Sequence, residues 1–212
     1  MLRPFRPLIL ALLALPLAVG AAPFEEGRHY TELAFPQEVE TGKQIEVREF
    51  FWYGCPHCYT LEPTLERWLA NKPKNVEFVR TPGAAPHWLL HAQVFYAAET
   101  MGVTAKLHPA LFKAIHEQKR SLNDEASVLK FVAEQGIDAA KFKEALNSFG
   151  TRLKVEKAKR MNEAYTIHSV PMLVVDGKYL TGPSMAGGEA AVIKVVEFLV
   201  QKAAAERSSR AK

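Results

Sequence analysis

Hydrophobic and polar positions follow two different periods along this chain, and the changes between them mark the expected elements of secondary structure. Residues 45–52 (IEVREFFW) are rich in β-branched and aromatic side chains and run into a turn at residues 53–54, which predicts a strand. Apolar residues then recur with helical spacing over residues 61–69, and residues 76–80 (VEFVR) predict a second strand. We therefore expect a strand–helix–strand unit early in the fold.

From residue 86 to residue 165 the pattern predicts helices only. Residues that cap or break helices set the expected boundaries, because Asn and Asp side chains satisfy free N–H groups and Gly allows a left-handed end. The expected helices are one over 88–101 that stops at Gly102, one that begins at Pro109, one capped by Asn123, one capped by Asp138, and a long charged one over 152–165.

Strands return after the helical stretch, over residues 171–175 and 178–180, with the hairpin signal Asp-Gly between them. A last helix follows near the C-terminus. Strands on both sides of a block of helices predict an α/β protein in which an all-helical domain is inserted into a sheet domain. The expected parts are a sheet domain (22–85 and 166–212) and a helical insertion (86–165).

The first residues carry a pattern of their own. Residues 1–6 contain two arginines and no acidic residue, and residues 8–19 form an apolar run that is too short to cross a bilayer comfortably. Small residues follow at positions 19–21. This order is typical of a secretory signal peptide, here residues 1–21, with an uncleaved anchor as the alternative. We expect a soluble mature protein in the periplasm, an oxidising compartment.

Composition narrows the functional classes. The chain has 212 residues, of which 48% are hydrophobic and 24% charged, so it is neither collagen-like nor wholly disordered. Its formal net charge is +4, but the excess of basic residues lies mainly at the two ends, and the sequence has no compact basic patch with interleaved aromatic residues. Nucleic acid is therefore not an expected partner.

The only two cysteines of the chain belong to the tetrapeptide Cys55-Pro56-His57-Cys58. The tetrapeptide lies where the first predicted strand ends and the first helix begins, so Cys55 falls at a helix N-terminus. Free N–H groups and the helix dipole stabilise a thiolate there, and a protonated His57 adds positive potential. A stabilised thiolate favours the reduced dithiol, which makes the disulfide oxidising and predicts that the protein donates disulfides.

Other uses of two cysteines are less consistent with the sequence. Attachment of haem requires His directly after the second cysteine, where this chain has Tyr59. Zinc would need two further ligands; His87 and His91 lie one helical turn apart, but their spacing from Cys58 matches no common zinc site, and a solvated helix face is the simpler interpretation. A structural disulfide that closes so small a ring would stabilise little. We therefore favour redox chemistry and expect no bound metal.

Two further positions fit this chemistry. Glu49 shares one face of a strand that we expect to be buried with Ile45, Val47 and Phe51. Burial among these apolar side chains would raise its pKa, so that it could relay a proton to or from Cys58. A structural ion pair with Arg80 on the neighbouring strand is the alternative, and the two roles are compatible. Pro171 opens a strand, which places it either at a sheet edge or in a cis peptide bond; in the latter case Val170 could pair with an extended peptide.

Five segments form a distinctive combination, which consists of Phe50-Phe51, the CPHC tetrapeptide with Tyr59, Val170-Pro171, residues 175–179 (VDGKY) and residues 22–30 (APFEEGRHY). Together they resemble the DsbA family of periplasmic thiol:disulfide oxidoreductases, over nearly the whole mature chain. Ser169 departs from the family, in which many members carry Gly before Val-Pro, and this departure concerns the substrate loop rather than the chemistry.

The resemblance implies a thioredoxin-like fold with an inserted all-helical domain. It also implies that Cys55 is an exposed nucleophile, that Cys58 is buried, that Pro171 is cis beside the disulfide, and that Glu49 is the buried acid of the family. Members of the family oxidise newly exported, cysteine-containing proteins and are re-oxidised by a DsbB-type membrane quinone reductase. No cofactor other than the Cys55–Cys58 disulfide is expected.

The function expected from the sequence is that of a thiol:disulfide oxidoreductase acting as a monomer. A client thiolate would attack Cys55 and form a mixed disulfide, which the client's second thiolate would resolve. A reductase or isomerase of the same fold is the alternative, although only about 23 residues of the mature chain precede the first strand, which leaves little room for a dimerisation domain. A non-enzymatic chaperone or metal carrier would keep its function after Cys55→Ser.

Overall fold

The computed structural model describes residues 23–210, so the predicted signal peptide, residues 1–21, lies outside the described residues. Within this range no helix has the length and hydrophobicity needed to cross a bilayer. The elements, in chain order, are β1 (Thr31–Glu32), β2 (Ile45–Phe51), α1 (Pro56–Leu69), β3 (Val76–Pro82), a short 3₁₀ helix (Pro86–Trp88), α2 (Leu89–Thr100), α3 (Thr104–His116), α4 (Glu125–Glu134), α5 (Ala139–Leu146), α6 (Phe149–Ala164), β4 (Met172–Val175), β5 (Tyr179–Thr181), α7 (Pro183–Ala186) and α8 (Glu189–Arg210).

The five described strands form one mixed sheet in the order β1-β5-β4-β2-β3. β2 and β3 are parallel and are joined through α1, as the strand–helix–strand pattern predicts, and Glu49 lies opposite Arg80 in their register. β4 runs antiparallel on the other side of β2. β2 is therefore an interior strand, and all seven of its residues are buried.

Both faces of the sheet are covered. On one face Ile45 and Val47 of β2 pack with Leu61 and Leu65 of α1 and with apolar residues of α8. On the other face Phe50 packs where α6 ends and β4 begins. The division follows from the strand itself, because successive side chains of β2 point to opposite faces of the sheet.

The segment between β3 and β4 contains helices, as predicted, and their boundaries follow the capping side chains. Asp138 caps α5 through two backbone N–H groups, as expected. Asp124 rather than Asn123 caps α4, because its carboxylate accepts from a backbone N–H in the first turn. Ser148 caps α6, so that helix begins earlier than predicted.

The prediction that a helix begins at Pro109 is wrong. α3 begins at Thr104, and Pro109 lies inside it. An interior proline removes one N–H donor and crowds the preceding turn. Here Leu107, His108 and Leu111 are buried around the proline, and most of a helix's stability in a protein comes from such packing. Tertiary packing therefore keeps α3 helical on both sides of Pro109, which the sequence pattern takes as the start of the helix.

β4 and β5 form the predicted hairpin. Asp176 and Gly177 have φ angles of 56° and 66°, and the Lys178 N–H donates to the Val175 C=O at 3.0 Å, which is the pattern of a type I′ turn. The segment before β2 packs against this turn, where the Gln37 N–H donates to the Gly177 C=O at 2.9 Å. The hairpin thus fixes the position of β4 next to β2.

Replacing Gly177 with alanine should destabilise the protein more than the same change at Gly102. Both glycines have left-handed backbone, with φ of 66° and 67°, which costs a residue with a Cβ about 1 kcal/mol. A Cβ at Gly177 would also lie 2.1 Å from the backbone O of Gln37, whereas at Gly102 nothing lies within 4 Å. Urea unfolding should show losses of about 3 kcal/mol for Gly177→Ala and about 1 kcal/mol for Gly102→Ala; equal losses would contradict this account.

Candidate functional site

The two cysteines lie at the strand–helix junction that the sequence predicts. Cys55 is the N-cap residue of α1, Pro56 is the first residue of the helix, and Cys58 lies in the first turn. Both side chains are free thiols in this structure. Cys55 is 8% exposed and Cys58 is 0% exposed. Cys55 is therefore the more accessible sulfur, although it is more enclosed than the family resemblance implies.

Cys55 lies where a thiolate is stabilised. The Cys58 thiol hydrogen-bonds to its sulfur and makes the largest contribution, which partial burial opposes. The backbone N–H groups of Cys58 and His57, at the open end of α1, also bond to the sulfur, and the charge of a protonated His57 adds to them. Together these contacts lower the pKa of Cys55 from 9.0 to about 6.

Cys58 is in the opposite situation. Burial raises the pKa of its thiol above the ordinary value, and the hydrogen bond to Cys55 acts in the same direction, as does Glu49 whenever it is ionised. The Cys58 sulfur is therefore held as a neutral thiol. The pair as a whole carries one negative charge, and that charge lies on the more accessible sulfur.

Glu49 lies in the middle of β2 and is fully buried. Its Oε2 accepts a hydrogen bond from Arg80 Nε at 3.0 Å, so the contact with Arg80 that the sequence suggests is present, and it becomes an ion pair when Glu49 ionises. Burial raises the pKa of Glu49 to about 8; the charge of Arg80 opposes this rise and that of Glu62 adds to it. At neutral pH this carboxyl therefore holds a proton.

The loop before β4 approaches Cys55 from another side. The Val170–Pro171 peptide bond is cis. Cys55 Sγ lies 3.3 Å from the carbonyl oxygen of Val170, to which it can donate only while it is protonated. The structure therefore brings Val170 next to Cys55, and the role of Val170 and Pro171 in binding a client stays a prediction.

A hollow of about 460 Å³ opens beside this loop. It is lined by His57, residues 169–171, residues 183–184 and residues 187–189, most of which are apolar or small. His57 is far from buried, with 76% of its side chain exposed, and its Nδ1 lies 3.9 Å from Glu189 Oε1. The volume and lining suit side chains of an extended peptide that passes Cys55.

The structure connects Glu49 to three residues that the sequence analysis missed. Arg80 Nη2 donates to both oxygens of Glu62 at 3.0 and 3.2 Å, and His108 Nε2 lies 3.4 Å from Glu62 Oε2. The hydroxyl of Tyr53 lies 2.9 Å from His108 Nδ1. The sequence contains a signal for two of them: Glu62 and His108 each interrupt a helix face whose other members are apolar and buried.

The two histidines weighed as zinc ligands have different surroundings. His87 is exposed in the 3₁₀ helix, whereas His91 is buried, with its Nε2 3.0 Å from the Leu122 C=O and its ring against Trp52 and Tyr53. The expectation of a solvated helix face is therefore wrong for His91, because α2 turns this side chain into the core. Among residues 23–210 no group of three or more Cys, His, Asp or Glu side chains is arranged to hold a metal ion.

The sequence is similar to a defined family over most of its length. The model of the DSBA-like thioredoxin domain matches residues 87–192. The thiol:disulfide interchange protein DsbA of Pseudomonas aeruginosa is 40% identical to this chain over 187 residues, which cover 88% of the chain and 89% of that protein. The protein of the same name from Burkholderia cepacia is 40% identical over 199 residues, which cover 90% and 93%.

Solved structures agree with this similarity. The crystal structure of Pseudomonas aeruginosa DsbA matches with a TM-score of 0.83 at 39% identity, over 89% of this chain and 97% of that chain. The oxidoreductase DsbA from Xylella fastidiosa matches with a TM-score of 0.80 at 25% identity, over 85% and 98%. The thioredoxin-like fold with an inserted helical domain is thereby confirmed, whereas its division at residues 86 and 165 stays a prediction.

Titration of the reduced protein, followed by ultraviolet thiolate absorbance, should show a transition near pH 6 that is absent in Cys55→Ser. Cys58→Ala removes the strongest donor to this sulfur and should raise the midpoint by about one pH unit or more. Cys58→Ser keeps a donor and should stay closer to the parent, and His57→Ala should shift the midpoint less than Cys58→Ala. A parent midpoint near 9, or a larger shift in His57→Ala, would be inconsistent with this assignment.

Proposed function

The chain belongs to the DsbA family of thiol:disulfide oxidoreductases, and from this membership we propose that it oxidises newly exported, cysteine-containing proteins in the periplasm. The enzyme class expected from the sequence is confirmed by the relatives described above. The direction of transfer, the compartment, the roles of individual residues and the partner that restores the disulfide are parts of the proposal.

One observation carries the direction of transfer: the pair of thiols stabilises a thiolate at Cys55. The thiolate exists only in the reduced state, so the contacts that stabilise it favour the dithiol over the disulfide. A protein whose dithiol is favoured releases its disulfide to client thiols. The same contacts also make Cys55 a good leaving group when the mixed disulfide is resolved.

The reaction proceeds in two exchanges. A client thiolate attacks the Cys55 sulfur of the Cys55–Cys58 disulfide; a bond between the client sulfur and Cys55 forms, the bond to Cys58 breaks, and Cys58 takes the electron pair and a proton. The client's second thiolate then attacks the client sulfur that is bonded to Cys55. A disulfide forms within the client, and Cys55 leaves as a thiolate. The client loses two electrons and the protein gains them, so no further cofactor enters the proposal.

Glu49 is the proposed source of the proton that Cys58 takes. Burial makes the thiolate of Cys58 unfavourable, so its departure is easier if a proton arrives as the disulfide breaks. Glu49 is protonated at neutral pH, and the effect that its ionised form has on the pKa of Cys58 shows that the two groups interact. The hydrogen bond from Arg80 to Oε2 does not exclude the role, because Oε1 of Glu49 has no hydrogen-bond partner among residues 23–210.

The hollow beside Cys55 is the proposed binding place for the client. Val170 and Pro171 line it together with residues of α7 and the start of α8. An apolar, open surface next to free backbone suits an extended segment, which is the state of a newly exported chain before it folds. His57 and Pro56 complete the surface around the reactive sulfur, His57 through its charge and Pro56 by starting α1.

Re-oxidation requires an acceptor for the two electrons, because the protein leaves each cycle as a dithiol. We assign this step to a DsbB-type membrane quinone reductase: the Cys55 thiolate would attack a disulfide of that partner, and Cys58, on losing its proton, would then displace the partner's sulfur, so that the Cys55–Cys58 disulfide re-forms and the partner is left as a dithiol. The proposal treats the protein as a monomer in both half-reactions, since the hollow and both sulfurs are formed by one chain.

Equilibration of the purified protein with glutathione buffers should give a reduction potential more oxidising than that of a cytosolic thioredoxin. A reduced client with two cysteines should be oxidised by the parent and not by Cys55→Ala. Given an oxidised client instead, the Cys55 thiolate of Cys58→Ala should attack the client disulfide, release one client thiol and accumulate as a mixed disulfide, because no internal thiol can expel the client. A potential as low as that of thioredoxin, or faster refolding of a scrambled client than oxidation of a reduced one, would favour the reductase or isomerase.

Replacing Glu49 with glutamine should slow formation of the mixed disulfide by about tenfold or more, because glutamine supplies no proton to Cys58. With a client whose attacking thiol is already ionised, the parent rate should fall as pH rises through about 8, where Glu49 loses its proton. The variant should lack this dependence. Glu46→Gln, a buried carboxyl of the same strand on the opposite face, is the matched control. Unchanged rate and pH profile in Glu49→Gln would rule out the role.

A further inference from the structure

A chain of buried polar groups leads from the redox centre into the helical insertion. It runs from Glu49 to Arg80 at 3.0 Å, from Arg80 to Glu62 at 3.0 Å, from Glu62 to His108 at 3.4 Å and from His108 to the hydroxyl of Tyr53 at 2.9 Å. His108 is 5% exposed and Tyr53 is 1% exposed. Water does not solvate groups this well buried, so each of their charges must be balanced by another group of the cluster or removed by a proton.

The charges of this cluster do not balance. Glu49 and Glu62 are both carboxyl groups, and Arg80 is the one guanidinium that bonds to both of them. Burial lowers the pKa of His108, so its ring is neutral at pH 7 and adds no positive charge. One carboxyl must therefore hold a proton if the buried cluster is to avoid a net negative charge.

The two carboxyl groups differ in the donors around them. Both oxygens of Glu62 accept from Arg80, and His108 Nε2 adds a third, longer contact. Glu49 accepts at one oxygen only, and its Oε1 is without a partner in the described part of the chain. Burial opposes ionisation of Glu62, but the adjacent Nε2 of His108, 3.4 Å away and with no hydrogen-bond partner within residues 23–210, and the charge of Arg80 outweigh it and lower the pKa of Glu62. The donors around Glu62 thus stabilise its carboxylate more than the single donor to Glu49 stabilises the carboxylate of Glu49.

Glu62 and Tyr53 together favour one placement of the hydrogen on the His108 ring. A neutral imidazole has one donor and one acceptor nitrogen, and each is set by the partner of the other. An ionised carboxylate can only accept, so Glu62 favours the tautomer with the hydrogen on Nε2, and the tyrosine hydroxyl, 2.9 Å from Nδ1, can then donate to that nitrogen. The other tautomer would turn a lone pair toward that carboxylate. Rings of Phe51 and Phe112 enclose the imidazole and fix its plane.

We propose that Tyr53 and His108 are positioning residues that keep the proton of this cluster on Glu49, beside Cys58, rather than on Glu62. His108 belongs to α3, so the helical insertion would set the proton supply of the redox centre as well as cover it. The remaining charge that acts on His108 is that of Glu66 in α1, which does not alter the order of donors. The functional meaning rests on the proposed role of Glu49, but the position of the proton does not.

The position of the proton can be measured on the reduced protein without any client. Glutamate labelled with ¹³C at the side-chain carboxyl gives resonances that titrate, and Glu49→Gln and Glu62→Gln assign the two signals. In the parent, Glu49 should titrate near pH 8. His108→Met removes the donor to Glu62, so the Glu49 midpoint should fall by about one pH unit and that of Glu62 should rise. Tyr53→Phe should shift both midpoints in the same directions.

Two variants separate this role from packing. His108→Gln keeps a side-chain N–H at the place of Nε2 and should restore the parent midpoint of Glu49. His91→Met changes another buried histidine, which bonds to a backbone carbonyl outside the cluster, and should leave that midpoint unchanged. An unchanged Glu49 midpoint in His108→Met and Tyr53→Phe would overturn the proposal, and Tyr53→Phe alone decides the matter if His108→Met does not fold.

The outcome of the carboxyl titration does not depend on whether the proposed function is correct. If the glutathione equilibrium identifies the protein as a reductase, the carboxyl titration still reports where the proton lies. If Glu49→Gln leaves the kinetics unchanged while His108→Met shifts the Glu49 midpoint, the positioning stands and only its use as a proton source fails.

Discussion

The redox centre depends on one constraint: two sulfur atoms on the same helical turn must hold opposite protonation states. Cys55 obtains N–H groups and a thiol donor at the open start of α1, whereas Cys58, three residues further on, is enclosed. Both belong to the apolar cluster built mainly by the helices between β3 and β4, with Phe95 and Phe112 among its members. A helix N-terminus alone would stabilise either sulfur, so it is this cover that makes the two different.

The lowered pKa of Cys55 explains why this arrangement favours donation of a disulfide. The pKa of Cys55 is lowered in the folded state, so its thiolate stabilises the reduced protein fully above the ordinary thiol pKa of 9.0, and this contribution is lost as pH falls through about 6. At pH 7 it amounts to about 1 kcal/mol. The oxidised protein has no thiolate to stabilise, so this difference opposes the disulfide at neutral pH.

The local part of this site is readable from sequence and the non-local part is not. A β-branched run, a turn and a CPHC tetrapeptide predict the strand–helix junction, and alternation along β2 places Glu49 opposite Arg80. The contribution of His108 depends on α3 crossing α1, and the Pro109 beside it hides the helix that carries it. The error of one residue at the start of α4 has a similar origin. Asn123 and Asp124 can both cap a helix, and packing decides which of them does.

A second buried ion cluster on β2 shows that burial of charge alone does not mark a functional group. On the face opposite Glu49, both oxygens of Glu46 accept hydrogen bonds, one from Arg48 at 2.7 Å and one from the backbone N–H of Glu40 at 2.9 Å. The carboxylate of Glu40 is itself half exposed and also pairs with a lysine of α6, so the charges there balance. Beside Cys58 the carboxyl groups outnumber the guanidinium that they share, and one carboxyl oxygen has no partner within residues 23–210. A fold that fully satisfies one buried carboxyl of a strand and leaves another incomplete, three residues away, keeps a proton where the chemistry of the disulfide uses one.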